Sequence, residues 1–252
     1  MRDLKAALFF LSEAEDGADY IDDYLNWHVF EHMPEQFLAE NIFWGQRFVA
    51  TPACIEASAV RTSEVGKAQH LQNYIFEDPD LAWKEIHDIG HTLRGRGRDR
   101  PGAAPTMRFF GTVLLARTYA AARTMLSPEA IAFRPNHGIY LIVESEGDDL
   151  TTDNWVAEQH IHATEILELP SAAGMRCYSS RGVGRGPGEA AQYLPGPNCR
   201  ITAIYLDGDP IKFADDIKPH LDKRWKQTPV KPLLAGPFRS LFPPPANLLP
   251  RD

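Results

Sequence analysis

Asn26-Trp27-His28-Val29-Phe30-Glu31-His32 returns later in the chain as Asn154-Trp155-Val156-Ala157-Glu158-Gln159-His160. Trp and His keep their spacing, so Trp27 answers Trp155 and His32 answers His160, an offset of 128 residues. Further on, Gly45-Gln46-Arg47-Phe48 answers Gly174-Met175-Arg176-Cys177 at an offset of 129, a change that one inserted residue in the intervening turn explains. Two matches in one order mark a duplicated unit, each copy taking about half of the 252 residues.

Each half reads as the same succession of elements. In the first, the apolar run from Lys5 to Leu11 predicts a strand. A helix capped by Asp19 or Asp22 follows, with Tyr20, Tyr24, Trp27 and Glu31 along one side, until Pro34 breaks or kinks it. Strands over Phe43 to Ala50 and Gln69 to Phe76, a helix from Pro79 to about Leu93, and a strand from Phe109 to Ala116 complete the unit. The second half repeats this: strand Gly138 to Glu144, helix Thr151 to about Leu169, strands Gly174 to Ser180 and Arg200 to Leu206, helix Pro210 to Trp225, strand Leu233 to Arg239. The order is βαββαβ twice, two tandem ferredoxin-like units in an α+β fold. A four-stranded sheet with both helices on one face leaves its other face bare, and two such units bury those faces by forming one eight-stranded α/β barrel. The expected division is 1–119 for the first unit, 120–136 for an alanine-rich linker helix, 137–242 for the second unit, and 243–252 for an extended tail.

A net charge of -8 and a pI near 5.6 argue against nucleic acid or an anionic membrane as partner, since both demand clustered Lys and Arg. The basic stretch Arg94 to Arg100 has no interleaved aromatics and reads as a solvated loop. Cys54, Cys177 and Cys199 have no metal spacing and suit a reducing cytoplasm without disulfides. No signal peptide or membrane span is visible. Gly182 to Gly188 lacks the spacing of a dinucleotide loop and reads as a flexible cover.

Trp27-His28-Val29-Phe30-Glu31-His32-Met33-Pro34, followed by Gly45 and Arg47, resembles the helix-one signature of the EthD-like members of the dimeric α/β-barrel superfamily, in which Trp-His-x-x-Glu-His-x-Pro leads to a Pro-Gly and an aromatic-flanked Arg on the second strand. Gly45 here lacks the preceding proline, and in the second half only Trp155, His160, Gly174 and Arg176 remain of the pattern. The resemblance implies the barrel fold and admits a homodimer. The superfamily is similar in fold to muconolactone isomerases, cofactor-free monooxygenases, polyketide cyclases, haem aldoxime dehydratases and chlorite dismutases, so the chemistry rests on the site.

His32, at the end of the first helix beside Pro34, suits general acid–base work, with Glu31 and His28 set to tune it and His160 as its echo. A structural hydrogen bond across the kink is the competing reading. Arg47 and Arg176 suit a substrate carboxylate, phenolate or enolate oxygen, or else an ion pair with Glu31 or Glu158. Trp27, Tyr74, Trp155, Tyr178 and Tyr205 complete the expected substrate-binding set, and a pocket is expected beside Trp27, His28, Glu31, His32 and Arg47. Neither His28/His32 nor His87/His91 forms a metal motif, and no metal is expected; a lone proximal histidine leaves haem open. Three readings stand together: a cofactor-free lyase, dehydratase or isomerase acting on a cyclic or aromatic small molecule; a haem or cofactor-free oxygenase; and a ligand-binding barrel without turnover.

Overall fold

The computed structural model describes residues 6–14, 21–62, 64–98, 107–146, 152–179 and 199–241. In the first half, strand β1 (Ala6–Ala14) leads to helix α1 (Ile21–Trp27), a π-helical turn (His28–His32) and α2 (Met33–Gln36). Then come β2 (Ile42–Val49), α3 (Pro52–Glu56), β3 (Val60–Arg61), β4 (His70–Phe76), α4 (Pro79–Gly95) and β5 (Met107–Ala122). The second half contributes β6 (Gly138–Glu146), α5 (Thr152–Leu167), β7 (Ala172–Ser179), β8 (Cys199–Leu206), α6 (Pro210–Gln227) and β9 (Val230–Ser240). Short α3 and β3 aside, this is the duplicated βαββαβ order.

The strands lie in the order β2-β4-β1-β5-β7-β8-β6-β9, and β9 pairs back to β2, which closes the barrel. One seam is long, with β5 running antiparallel to β7 from Ala116↔Ser179 to Ala122↔Gly174. The other is short, Phe48↔Ser240 and Val49↔Arg239. Alternation along each strand sorts side chains between two layers. Ala7, Phe9 and Leu11 of β1 join Phe48, Leu71, Ile75, Ile139, Leu141, Tyr178, Ile201 and Phe238 in a core shared by both halves. Ala6 and Leu8 turn the other way, under the first half's helices with Met33, Ile42, Tyr74 and Phe76. The matching layer of the second half holds Tyr140, Ile142, Met175, Cys177 and Ile204 against Ala163, Ile166, Phe213 and Ile217. Each buried aliphatic or aromatic side chain contributes about 1.5–3 kcal/mol, so the shared core couples the halves.

Two expectations are corrected. The linker 120–136 is not a helix: β5 runs through Ala122, because its backbone still pairs with β7 there, and only a 3-10 turn at Ile131–Phe133 follows. Pro34 does not end the first helix. The π turn ahead of it widens the ladder, with the Met33 N–H donating to the His28 carbonyl, and Pro34 occupies an early position of α2 where its missing N–H is tolerated. The loop 182–188, residues 99–100 of the basic stretch and the tail 243–252 lie outside the described residues.

Gly138 tests the β6–β9 packing. A Cβ there would fall inside contact distance of the Phe238 carbonyl oxygen and 2.6 Å from Pro210 Cγ. Gly138→Ala should therefore lower unfolding free energy by about 1–3 kcal/mol, read as a lower denaturant midpoint with unchanged slope. An unchanged midpoint would mean that this packing yields freely.

Candidate functional site

The π turn decides which side chains of the first helix reach the sheet. Inserting one residue turns the following helix face by about 100°. Val29, Phe30, Met33, Pro34 and Phe37 consequently line a cavity of about 210 Å³, completed by Trp44, Gly45, Gln46 and Arg47 of β2 and by Leu241 after β9. The cavity sits at the short seam, where the Leu241 N–H donates to the Arg47 carbonyl at 3.0 Å. Gly45 has no room for a side chain, since a Cβ would lie 2.7 Å from the Tyr74 ring and 3.0 Å from that of Phe37. Phe37 and Trp44 stack nearly parallel, ring centroids 6.4 Å apart. Phe30 and Leu38 leave the surface beside the cavity apolar, at 54% and 81% exposure.

Of the expected pocket set, only Arg47 lines this cavity. Trp27 instead stacks on His32 at 4.7 Å, and His32 approaches Gln36 Nε2 at 3.4 Å. Glu31 is exposed and faces Arg98, 3.6 Å away, which also holds Glu35 at 2.9 Å. His28 is buried, with its ring 5.4 Å from that of His32. Tyr74 lies in the helix-facing layer. The ion pair considered for Arg47 does not form. Its guanidinium, 3% exposed as a residue, lies over the Tyr24 ring at 4.9 Å, and its Nε has no hydrogen-bond partner.

Arg47 therefore dominates the electrostatics of a closed space. Burial, then Arg47, then His32 hold His28 well below the usual imidazole range, against an opposing hydrogen bond from Gln72. His70, which pairs with Val49, is pushed down to about 3 by burial and by Arg47. Both imidazoles leave Nδ1 buried without a partner. Burial drives the Tyr74 phenol above its usual range, so it too is uncharged. His70 and Gln72 were missed from sequence. Their signal was the polar alternation His70-Gln72-Tyr74, legible only once that face is known to lie under the helix.

The second half has a different interior at the matching place. Bulges at Ile42/Trp44 and Ala172/Gly174 align the two second strands, setting Trp44↔Ile75 opposite Gly174↔Tyr205. Arg47 thus corresponds to Cys177, and Arg176 to Gln46. Arg176 points into the shared core, where it lies over the Phe133 ring at 5.9 Å and donates to the Glu129 carbonyl at 2.6 Å. Tyr178 and Tyr205 are beside it. Cys177 meets Gln159 at 3.0 Å and Thr202 at 3.6 Å. Glu158 is taken by Arg224 at 2.6 Å, and Glu144 by Arg224 and by Trp225 Nε1 at 2.7 Å. Burial opposes ionisation of Glu144, but Arg224 and Trp225 outweigh it and hold the carboxyl below its usual range. His160 is exposed, its Nδ1 3.1 Å from the Tyr119 hydroxyl. The Trp155 side chain lies outside the described residues.

No group of three metal-ligating side chains occurs among the described residues. The cavity lining contains no His, Cys or Tyr, and its about 210 Å³ falls below the usual range for bound cofactors, so these residues do not fit a haem. Among the described residues, no helix is long and apolar enough to cross a membrane.

No protein family model matches the chain, and no curated protein matches it. Among solved structures, a provisionally assigned chlorite dismutase is similar at 13% identity and a TM-score of 0.52, over 94% of this chain and 95% of that one. A provisionally assigned monooxygenase from Lactobacillus acidophilus is similar at 8% identity and a TM-score of 0.48, over 94% and 97%. An anthrone oxidase-like protein is similar at 10% identity and a TM-score of 0.47, over 94% and 92%. At these identities the likeness is one of fold: the chain has the dimeric α/β-barrel architecture.

Neutral buried histidines make stability depend on pH. His70 and His162, both held near 3 chiefly by burial, protonate in the unfolded chain near 6.5 but not in the fold. The unfolded state then binds more protons, and stability falls as pH drops below about 6.5, by about 1.4 kcal/mol per unit for each such histidine. Denaturant titrations from pH 7.5 to 4.5 should show the decline, and His70→Gln should lessen its slope by about one proton. An identical slope in the variant would mean that His70 is solvated in the fold.

Proposed function

We propose that the protein is a small-molecule enzyme of the acid–base type, a lyase or isomerase that moves protons on an apolar, cyclic or aromatic organic anion. The observation that carries this reading is Arg47, a buried guanidinium without an acidic partner among the described residues, in the wall of a cavity lined otherwise by apolar residues and Gln46. A buried cation is costly unless paired, and a ligand carboxylate, phenolate or enolate oxygen supplies the missing anion. Size agrees with one ring: an apolar cavity of about 150 Å³ takes benzene, and this one is somewhat larger.

In this reading Arg47 holds the substrate oxygen and the aromatic walls exclude water. Neutral His28, buried outside the lining of the empty cavity and reached by the substrate only on binding, takes a proton from the carbon next to the activated carbonyl, and the electron pair passes to the oxygen at Arg47. Return of the proton at another carbon gives isomerisation. Loss of a β-hydroxyl, protonated to leave as water, gives dehydration. His32, half-buried and 5.4 Å from His28, passes the proton toward solvent. This assigns the base to His28 and makes His32 the relay.

Turnover of cyclic and aromatic acids by the purified protein is the test. His28→Gln should lower turnover about a hundredfold to ten-thousandfold with the fold intact, and His32→Gln less. Arg47→Lys should weaken binding and slow the step that builds negative charge, because a point cation cannot reproduce a forked contact. His160→Ala should change little. Full activity in Arg47→Leu would remove the reading. Dioxygen consumed in step with substrate would turn it into a cofactor-free oxygenase, and binding without turnover into a ligand-binding barrel.

A further inference from the structure

The consecutive residues Trp44, Gly45, Gln46 and Arg47 of β2 all line the cavity. A strand shows only every second residue on one face, so it is the edge of β2 that the cavity meets. The phase of the ladder says which backbone groups stand there. The Ala50 N–H donates to the Gln69 carbonyl at 2.7 Å and the Leu241 N–H to the Arg47 carbonyl at 3.0 Å, which makes Val49↔His70, Arg47↔Gln72 and Gly45↔Tyr74 the non-hydrogen-bonded pairs of β2 with β4. Gly45 and Arg47 therefore turn their N–H and C=O groups away from β4, toward the side of β9.

There β9 does not meet them. It pairs with β2 only at Phe48 and Val49, and beyond that Leu241 takes the Arg47 carbonyl. Among the described residues, no hydrogen bond reaches the Gly45 N–H, the Gly45 C=O or the Arg47 N–H. Continued in register, β9 would set position 243 opposite Gly45, and Pro243 has no N–H to give the Gly45 carbonyl. The donor that this edge lacks is one the chain's own continuation does not carry there.

Resting on the anion reading of Arg47 above, we propose that the cavity takes an N-acyl amino acid with an aromatic acyl group, bound like one residue of a parallel strand on the edge of β2. An acceptor and a donor two residues apart, the Gly45 C=O and the Arg47 N–H, are what one residue spans in parallel pairing. The ligand amide N–H donates to the Gly45 carbonyl. Its carboxylate accepts from the Arg47 N–H and meets the charge of the Arg47 guanidinium, which fixes the direction of the ligand along the strand. The acyl ring then falls on the Trp44 side of Gly45, in the apolar recess with Phe37 and Met33. A plain aromatic acid satisfies the guanidinium but leaves the Gly45 carbonyl bare.

Gly45 is not open to substitution, because a Cβ there meets the Tyr74 and Phe37 rings, so the ligand is varied instead. Calorimetric titration compares benzoylglycine with benzoyloxyacetate, the ester of the same shape without the N–H, and with benzoate. Benzoylglycine should bind about tenfold or more tighter than the ester, as a lost hydrogen bond to a buried carbonyl predicts, and Arg47→Leu should weaken it by about tenfold to a hundredfold. Hydrogen exchange of the Arg47 amide should slow about tenfold on saturation. Should Arg47→Leu not fold, the amide and ester pair and the exchange at Arg47 still decide. Equal affinity of amide and ester, binding of benzoate alone, or an Arg47 amide indifferent to bound benzoylglycine would overturn the pairing at the strand edge and leave the anion reading standing. Failure of all three acids to bind at millimolar concentration, or binding that survives Arg47→Leu unchanged, would overturn the anion reading and the pairing with it.

Discussion

Everything in this molecule depends on the burial of two sheet faces that neither half can cover by itself. The helices of each unit occupy one face of its sheet, and the opposite faces supply Phe9, Phe48 and Ile75 from one half and Ile139, Leu141 and Phe238 from the other to a single core. Closure follows from that demand, and it is uneven. The β5–β7 seam is long, while β2 and β9 pair only at Phe48 and Val49. The cavity lies at the weaker seam, where helix, strand and the end of β9 meet without filling the space. A cavity therefore arises where the duplication closes on itself, which is a property of neither copy alone.

The two halves solve one packing problem with opposite chemistry. Under the first helix stand Arg47, His28 and His70; at the matching place in the second stand Cys177, Gln159 and Thr202, uncharged groups of which Cys177 bonds both others. One of the charges that the second half buries, Arg224, is matched by Glu144 and Glu158. Breaking such a matched pair costs about 3–5 kcal/mol, which is how a buried charge serves stability. Among the described residues Arg47 has no acidic match, and in this it resembles Arg176, which is held by the Glu129 carbonyl.

The resemblance of the first helix to an EthD-like signature drew attention to Trp27, Glu31 and His32, and the helix does reach the site, but through different residues. Its π turn brings Val29, Phe30 and Met33 to the cavity and leaves Trp27 stacked on His32 and Glu31 at Arg98. A proline at position 34 was legible as an irregularity. Whether the helix would stop, kink or absorb an extra residue was not, because the outcome depends on how the widened turn packs against β2.

The sequence by itself determined the duplication, the βαββαβ order and the barrel. These rest on apolar periodicity, turn residues and the need to cover a bare sheet, all of which are local or additive. Register was decided only by the tertiary structure. The echo of Gly45 and Arg47 in Gly174 and Arg176 is real as text, yet the paired strands set Arg47 against Cys177 and Gln46 against Arg176. Counted back from the turns that end at Ala39 and Leu169, His162 rather than His160 takes the place of His32. Side chains alternate from one face of a strand to the other, so a slip of one residue sends one arginine into the barrel and the other beneath a helix. Nothing along the chain records that choice, because it is made by hydrogen bonds between strands and by the bulges at Ile42/Trp44 and Ala172/Gly174 that set them.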